Sequence, residues 1–154
     1  MATYLLDTTV IIDVINGKRS RDQLLTDLLE NGHLLACCAI NVIEVYASMR
    51  PAEESRTAAF LETLSYYPIT WQVARLAGLI KRDFRKKGIT LSATDVTIAA
   101  VALEYQLTLV TDNVKHYPMK ELDLYDPSKT RSAEHRAGLH PRSVTPGPRG
   151  ILKP

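Results

Sequence analysis

Cysteine is scarce in this chain of 154 residues, and the two cysteines present, Cys37 and Cys38, are adjacent. Neighbouring cysteines inside an apolar run are typical of small buried side chains, not of a disulfide framework or a zinc site. A reducing compartment, the cytoplasm, is therefore expected. No apolar run reaches the length of a membrane span. The apolar region at the N-terminus contains Asp7 and Asp13 and lacks a basic leader, so neither a signal peptide nor membrane association is expected.

Several common chemical signatures are also missing. The chain contains neither G-x-G-x-x-G nor G-x-x-x-x-G-K-[ST], which argues against nucleotide binding by a glycine-rich loop. No nucleophile elbow is present. None of the four histidines has the spacing of metal ligands, and His135 and His140 lie close to the C-terminus. What remains is chemistry carried by carboxylates.

The formal net charge of +2 conceals an uneven distribution along the chain. Residues 1–127 carry 13 basic and 16 acidic residues, net −3, whereas residues 128–154 carry six basic and one acidic residue, net +5. The first segment is long enough for a single domain with its own core. The second contains proline and glycine but no aromatic residue. We predict a folded domain over 1–127 and a disordered basic tail over 128–154.

Short apolar runs alternate with segments of helical periodicity, which predicts an α/β fold. Strands are expected around residues 4–6, 33–39 and 108–110, with weaker candidates at 67–70 and 122–125. The intervening segments place apolar residues at helical spacing, and one helix is predicted over 53–66. Strands separated by helices imply a mostly parallel sheet that is covered on both faces.

Acidic residues stand where the apolar elements begin or end. Asp7 ends the first apolar run, Asp112 and Asn113 end the last one, and Asp95 opens the most hydrophobic helical segment. At strand ends such residues are often only turn formers. Asp95 is in line with the apolar face of its helix, and the cap position has another candidate in Ser92. A carboxylate that points to the core from a helix N-terminus is well placed to bind a metal ion.

Two further acids are harder to assign from the sequence. Glu44 shares a helix face with polar residues but has an apolar strip beside it, so a solvated position and a functional position are equally supported. Asp13 falls on the polar side of its helix and is predicted to be a surface residue.

Carboxylates that converge from distant parts of a chain favour a hard divalent cation. Mg²⁺ and Mn²⁺ prefer carboxylate and water oxygens in octahedral geometry. An ion of this kind lowers the pKa of a bound water and orients it for attack on a phosphodiester. Arg82 and Arg85, within the basic end of a long helix, are typical of a solvated helix terminus and equally suited to guide a phosphate backbone.

Four segments together resemble the successive motifs of PIN-domain proteins, and most of all the VapC toxins of toxin–antitoxin pairs. They are Leu5-Leu6-Asp7-Thr8, Asn41-Val42-Ile43-Glu44-Val45, Ala93-Thr94-Asp95-Val96-Thr97-Ile98-Ala99-Ala100 and Leu109-Val110-Thr111-Asp112-Asn113. The resemblance covers residues 3–126. It implies a three-layer α/β/α sandwich and a Mg²⁺-dependent endoribonuclease. It further implies an RNA substrate, a homodimer and a cognate antitoxin as partners.

Carried over position by position, the resemblance assigns a role to each acid. Asp7, Glu44 and Asp95 match the first three acids of the family, and Asp7 and Asp95 are expected to hold the metal. The fourth position falls on Asn113, with Asp112 one place earlier, and either is a candidate for the fourth catalytic residue. Thr8 matches a hydroxyl residue that often touches the site, and with Arg82 and Arg85 it is expected to contact the substrate.

Two alternatives to the toxin hypothesis follow from the same residues. The neutral side chain of Asn113 is compatible with a catalytically weak PIN module that binds RNA for regulation. A PIN nuclease that acts on DNA, or in RNA processing without an antitoxin, is the other alternative.

Overall fold

A five-stranded sheet forms the centre of the computed structural model, which describes residues 1–129. Every strand pairing is parallel, and the strand order is β3-β2-β1-β4-β5. The parallel arrangement confirms the predicted fold class. The strands are β1 (Thr3–Leu6), β2 (Leu34–Cys38), β3 (Ser65–Tyr67), β4 (Thr108–Val110) and β5 (Leu124–Tyr125).

Six α-helices connect the strands within residues 1–129, and short 3-10 turns precede α4 and follow β4. Their boundaries are set by recognisable caps: Asp7 caps α1, Thr70 caps α5 and Ser92 caps α6, each through a side-chain oxygen that accepts a backbone N–H. The helices are α1 (Thr8–Ile15), α2 (Arg21–Glu30), α3 (Ala39–Ser48), α4 (Glu54–Leu61), α5 (Trp71–Lys86) and α6 (Ala93–Glu104).

The helices cover both faces of the sheet, which gives the predicted three-layer sandwich. Leu5 and Leu109 face a core shared with α5 and α6. Their chain neighbours Leu6 and Val110 face the opposite core, shared with α1 to α4. Successive residues of a strand point to opposite faces, so a strand covered on both sides must be apolar at every position. This explains the continuous apolar runs in the sequence.

The predicted helix over 53–66 and the predicted strand over 67–70 are wrong in their limits. Helix α4 ends at Leu61, and the strand that follows is Ser65–Tyr67. Tyr66 pairs with Cys37 in the ladder between β3 and β2. Aromatic residues fit a pleated surface well. Pairing with β2 therefore keeps this segment extended although its apolar residues have helical spacing.

The predicted tail, residues 128–154, lies outside the described residues except for its first two positions. In the described part of the chain, no helix combines the length and the apolar character that crossing a membrane requires.

Candidate active site

The first side chain of the site follows β1 directly. Asp7 is 6% exposed, and its backbone N–H donates to the carbonyl of Val110 at 2.9 Å, which joins the ends of β1 and β4. One carboxylate oxygen accepts from the backbone N–H of Thr8 at 2.8 Å, and the other accepts from the hydroxyl of Thr111 at 2.6 Å. Asp7 is thus fixed at the carboxyl edge of the sheet, where parallel α/β folds bind ligands.

The second carboxylate approaches from the N-terminus of α6. Ser92 caps this helix by accepting the backbone N–H of Asp95 at 3.1 Å, so the carboxylate of Asp95 is free of the capping role. The hydroxyl of Tyr117 lies 3.3 Å from Oδ1 of Asp7 and 3.4 Å from Oδ1 of Asp95. Nδ1 of His116 lies 3.4 Å from the other carboxylate oxygen of Asp95. The two acids therefore face each other across one phenol.

The third carboxylate comes from α3. The hydroxyl of Thr8 donates to Oε1 of Glu44 at 3.4 Å and accepts from the amide of Asn41 at 3.2 Å. Asn41 is in turn held by the backbone N–H of Cys38, which donates to its side-chain oxygen at 2.8 Å. The structure thus places Glu44 beside the other two acids, where the sequence left its position open. Thr8 itself is buried, and its hydroxyl lies between the side chains of Glu44 and Asn41.

The three acids repel one another electrostatically. Burial raises the pKa of Asp7, and the charge of Asp95 raises it further, while the bonds from Thr111, Thr8 and Tyr117 lower it in part. Burial also raises the pKa of Glu44, and the charges of Asp7 and Asp95 add to that increase. A cation placed among the acids would offset this repulsion.

The two candidates for the fourth position have different surroundings. Both carboxylate oxygens of Asp112 lie 2.5 Å from Nη2 of Arg21, so this side chain is engaged in an ion pair. The backbone N–H of Asn113 donates to the hydroxyl of Thr111 at 3.0 Å. Thr111 therefore connects the fourth position with Asp7, which accepts its hydroxyl proton in a hydrogen bond.

Asp13, predicted to be a surface residue, is buried with 8% exposure. Its carboxylate lies 3.7 Å from Nε of Arg21 and 3.5 Å from Nη1 of Arg19. The prediction is wrong because the start of α2 packs against this side of α1 and brings arginines to it. Helical periodicity within α1 contains no information about that neighbour.

The donor set of the site fits a hard divalent cation. Within residues 1–129, no three histidine, cysteine or acidic side chains are already grouped closely enough to enclose an ion. Mg²⁺ does not need such a cage, because it usually takes one or two carboxylates and keeps several waters. Asp7 and Asp95, held on either side of the hydroxyl of Tyr117, would be suited to supply that pair.

The predicted substrate-contacting arginines lie at the C-terminal end of α5. The ammonium group of Lys81 donates to the carbonyl of Leu91, and the hydroxyl of Tyr105 donates to the carbonyl of Pro68 at 2.8 Å. Helices α5 and α6 are therefore antiparallel, and Arg82 and Arg85 lie toward the end of α6 that carries Asp95. Within the described chain, neither arginine is hydrogen bonded to the three acids.

Several residues of the site were not predicted from the sequence. Tyr117, Thr111 and Asn41 are buried and hold the acids in place. Thr111 could have been predicted from the sequence, since a hydroxyl residue at a strand end, next to the polar candidates Asp112 and Asn113, can donate a hydrogen bond to an acid of the site. Tyr117 is separated from Asp95 by 22 positions, and no periodicity connects the two.

We expect Thr111→Val to lower the free energy of unfolding by about 1.5–3 kcal/mol, the usual contribution of a hydrogen bond to a charged group. The substitution keeps the shape of the side chain but removes the donor to Asp7 and the acceptor for the backbone N–H of Asn113. Urea denaturation measures the effect. Thr57→Val is the matched control, because the Thr57 hydroxyl is buried and has no hydrogen-bond partner among the described residues. Equal losses in both variants would show that the hydrogen bonds of the Thr111 hydroxyl, to Asp7 and from Asn113, contribute nothing.

Comparison with known proteins connects this geometry with one family. The PIN domain family matches residues 4–122. The ribonuclease VapC19 of Mycobacterium tuberculosis is 31% identical over 115 residues, which cover 75% of this chain and 92% of that protein. The ribonuclease VapC2 of Haemophilus influenzae is 30% identical over 125 residues, covering 76% of this chain and 91% of the relative.

A solved structure gives the same result for the fold. The crystal structure of VapBC2 from Rickettsia felis, bound to a DNA fragment from their promoter, superposes with a TM-score of 0.72 at 25% identity. The match covers 80% of this chain and 98% of that one. The chain therefore belongs to the PIN domain family and, among its members, to the VapC proteins.

Proposed function

We propose that this protein is a metal-dependent endoribonuclease and the toxin of a toxin–antitoxin pair. The observation that carries the proposal is the convergence of Asp7, Glu44 and Asp95 at the carboxyl edge of the sheet. Relatives that share about a third of their residues with this chain are named ribonucleases. Three repelling acids would reject a phosphodiester by themselves, so the proposed substrate requires a cation.

Asp7 and Asp95 are the residues that would hold Mg²⁺, or Mn²⁺ in its place. The bound ion would supply a water of lowered pKa and would neutralise charge on the phosphate. Glu44 completes or orients the ligand set from α3, and Asn113 or Asp112 is the fourth polar position. The uncharged donors Thr111, Thr8 and Tyr117 keep the carboxylates in place before any ligand arrives. Residues that hydrogen bond to metal ligands in this way set the geometry of those ligands.

The basic end of α5 is proposed to hold the RNA backbone. Arg82→Ala and Arg85→Ala are each expected to raise KM and to leave kcat within about twofold, because they remove phosphate contacts remote from the reacting bond. Each lost contact should reduce the slope of log KM against log salt by about 0.7. Cleavage kinetics at several salt concentrations measure both effects.

Arg75→Ala is the control for this experiment. Arg75 is exposed on the same helix but belongs to its N-terminal half, away from Asp95. An equal rise of KM for all three variants would indicate a general effect of charge and would contradict binding of the RNA backbone at the C-terminal end of α5.

A protein partner is proposed for the surface beside Glu44. Ile43 and Tyr46 are exposed on α3, one position before and two positions after this acid in the chain. Exposed apolar residues next to a charged site fit a partner that covers both, as an inhibitory antitoxin would. The solved structures that this chain resembles include a toxin–antitoxin complex from Klebsiella pneumoniae and VapBC2 from Rickettsia felis. We also propose a homodimer, which sedimentation equilibrium of the purified chain tests.

Controlled expression in bacteria, followed by sequencing of RNA ends, tests the proposed function. The chain alone should arrest growth and produce new RNA ends, and co-expression of the gene product encoded beside it should prevent both effects. Asp7→Asn should do neither. RNA that is bound but uncut, with normal growth, would instead support a regulatory RNA-binding module.

A further inference from the structure

A cluster of four charged residues lies next to the candidate active site without belonging to the three acids. Arg21, 5% exposed, contacts both carboxylate oxygens of Asp112 at 2.5 Å. Its Nε faces the buried carboxylate of Asp13 at 3.7 Å. Arg19 adds a second guanidinium, 3.5 Å from Asp13 and 3.7 Å from Asp112. The cluster joins α1, the start of α2 and the end of β4.

The backbone of the turn that precedes α2, which carries Arg19 and leads to Arg21, is strained. Arg19 and Ser20 both have positive φ, 56° and 52°, a left-handed conformation that side chains other than glycine rarely adopt. Two consecutive residues in this conformation persist only where contacts with the surrounding structure enforce it. Backbone strain of this kind is concentrated at functional sites. The turn orients Arg19 and Arg21 toward the same two acids.

The cluster is also a poor source of stability. Nε of Arg21 and Oδ2 of Asp13 are buried, and neither has a hydrogen-bond partner among the described residues. Burying charges costs desolvation energy that their attraction often fails to recover, and replacing a buried ion pair by apolar residues of similar volume is often neutral or stabilising. The four charged residues are therefore better explained by a role in positioning the neighbouring site than by a contribution to stability.

The path from the cluster to the site is short. Asp112 is the chain neighbour of Thr111, whose hydroxyl donates to Asp7 at 2.6 Å and accepts from the backbone N–H of Asn113 at 3.0 Å. Because Arg21 holds the carboxylate of Asp112, it also fixes the turn 111–113, in which the hydroxyl of Thr111 donates to Asp7. It also keeps the carboxylate of Asp112 in an ion pair and out of the group formed by the three acids.

We propose that Arg21 is a positioning residue, which holds the turn 111–113 through Asp112 so that Thr111 orients Asp7 and Asn113 takes the fourth position. This inference rests on the proposed metal-dependent function of the site. It assigns Asp112 to the ion pair with Arg21 and not to the metal.

Binding of Mn²⁺, measured by isothermal titration for wild type, Arg21→Met, Asp112→Asn and the double variant, tests the proposal. Both single variants break the same ion pair, so each should weaken Mn²⁺ binding about 10-fold, the usual effect of losing a group that orients a metal ligand. The double variant should bind no more weakly than the weaker single variant. Arg56→Met is the control, since Arg56 pairs with Glu53 on the surface.

Other outcomes would overturn the proposal. If Asp112 were itself a metal ligand, Asp112→Asn would weaken Mn²⁺ binding while Arg21→Met, which frees this ligand, would strengthen it. If all variants stayed within about twofold of wild type, Arg21 would not position the site. Should Arg21→Met fail to fold, Arg21→Lys keeps the charge but has a single nitrogen, which cannot face both Asp13 and Asp112 as Nε and Nη2 of Arg21 do, and it must show the same weakening.

Amide hydrogen exchange provides a readout that does not depend on metal or activity. The N–H of Asn113, bonded to Thr111, should exchange at least about 10-fold faster in Arg21→Lys and Asp112→Asn, whereas amides of α5 should be unchanged. Uniform acceleration would mean a general loss of stability and would contradict a local role. Absence of RNA cleavage by wild type, with this local effect intact, would contradict the proposed function alone.

Discussion

Asp7→Asn is expected to reduce RNA cleavage by about 100-fold or more at neutral pH. Loss of a residue that merely orients a metal ligand costs about 10- to 100-fold in activity, and Asp7 is proposed as a ligand itself. It is also the centre of the hydrogen bonds from Thr8, Thr111 and Tyr117. The measurement is the initial rate of cleavage of one RNA substrate at saturating Mg²⁺.

The same substitution should leave the fold intact or make it more stable in the absence of metal. The asparagine side chain is neutral, so the substitution removes a buried charge from the neighbourhood of Asp95 and Glu44. Urea denaturation in EDTA is expected to give an unfolding free energy at least equal to that of wild type. Asp123→Asn, an exposed acid near β5, is the control and should affect neither quantity. Cleavage within about threefold of wild type would place the reactive centre elsewhere.

Mg²⁺ or Mn²⁺ should stabilise the wild-type protein by about 2.7 kcal/mol at a concentration of about one hundred times Kd. This is the free energy that any ligand contributes at that saturation if it binds only the folded state. The physical source is the relief of repulsion among Asp7, Glu44 and Asp95. Thermal unfolding with increasing metal measures the effect, and Asp7→Asn should show much less of it. Equal stabilisation of both proteins would mean that the ion binds at another site.

The pH dependence of the metal-free protein follows from the same acids. The pKa values of Asp7 and Glu44 are raised in the folded state above their ordinary values of 3.8 and 4.5. At pH values between the ordinary and the raised pKa of each acid, the folded protein therefore binds more protons than the unfolded chain. These two groups make the unfolding free energy fall as the pH rises from about 4. Added metal should remove most of this loss at a pH of about 7 and little of it at about 4, which urea denaturation at both pH values measures.

The architecture was predictable because a parallel sheet imposes a simple pattern. Its strands are buried on both faces and appear as continuous apolar runs, and their carboxyl ends meet at one edge. Asp7 and the pair Asp112-Asn113 could be placed at that edge for this reason. Asp95 could be placed by the apolar face of its helix, and the residues in line with it on α6, Ile98, Ala99 and Ala102, are buried.

The remaining features depend on contacts between distant segments, which local patterns do not contain. The position of Glu44 rests on the hydroxyl of Thr8, 36 residues away. Asp13 was misplaced because Arg21 reaches it from the next helix. Tyr117 follows a short 3-10 turn and had no distinguishing signal in the sequence. Strand β3 was predicted too far along the chain because its ladder with β2, not its own composition, fixes its limits.

The most direct test of a carboxylate centre that cleaves RNA with a divalent ion uses the purified wild-type chain and one labelled RNA. Cleavage is measured after treatment with EDTA, after restoration of Mg²⁺, and with Asp7→Asn purified in the same way. We predict no cleavage in EDTA, full recovery with Mg²⁺, and at most about one hundredth of the wild-type rate in the variant. Cleavage that persists in EDTA, or that is equal in wild type and Asp7→Asn, would contradict the proposed centre.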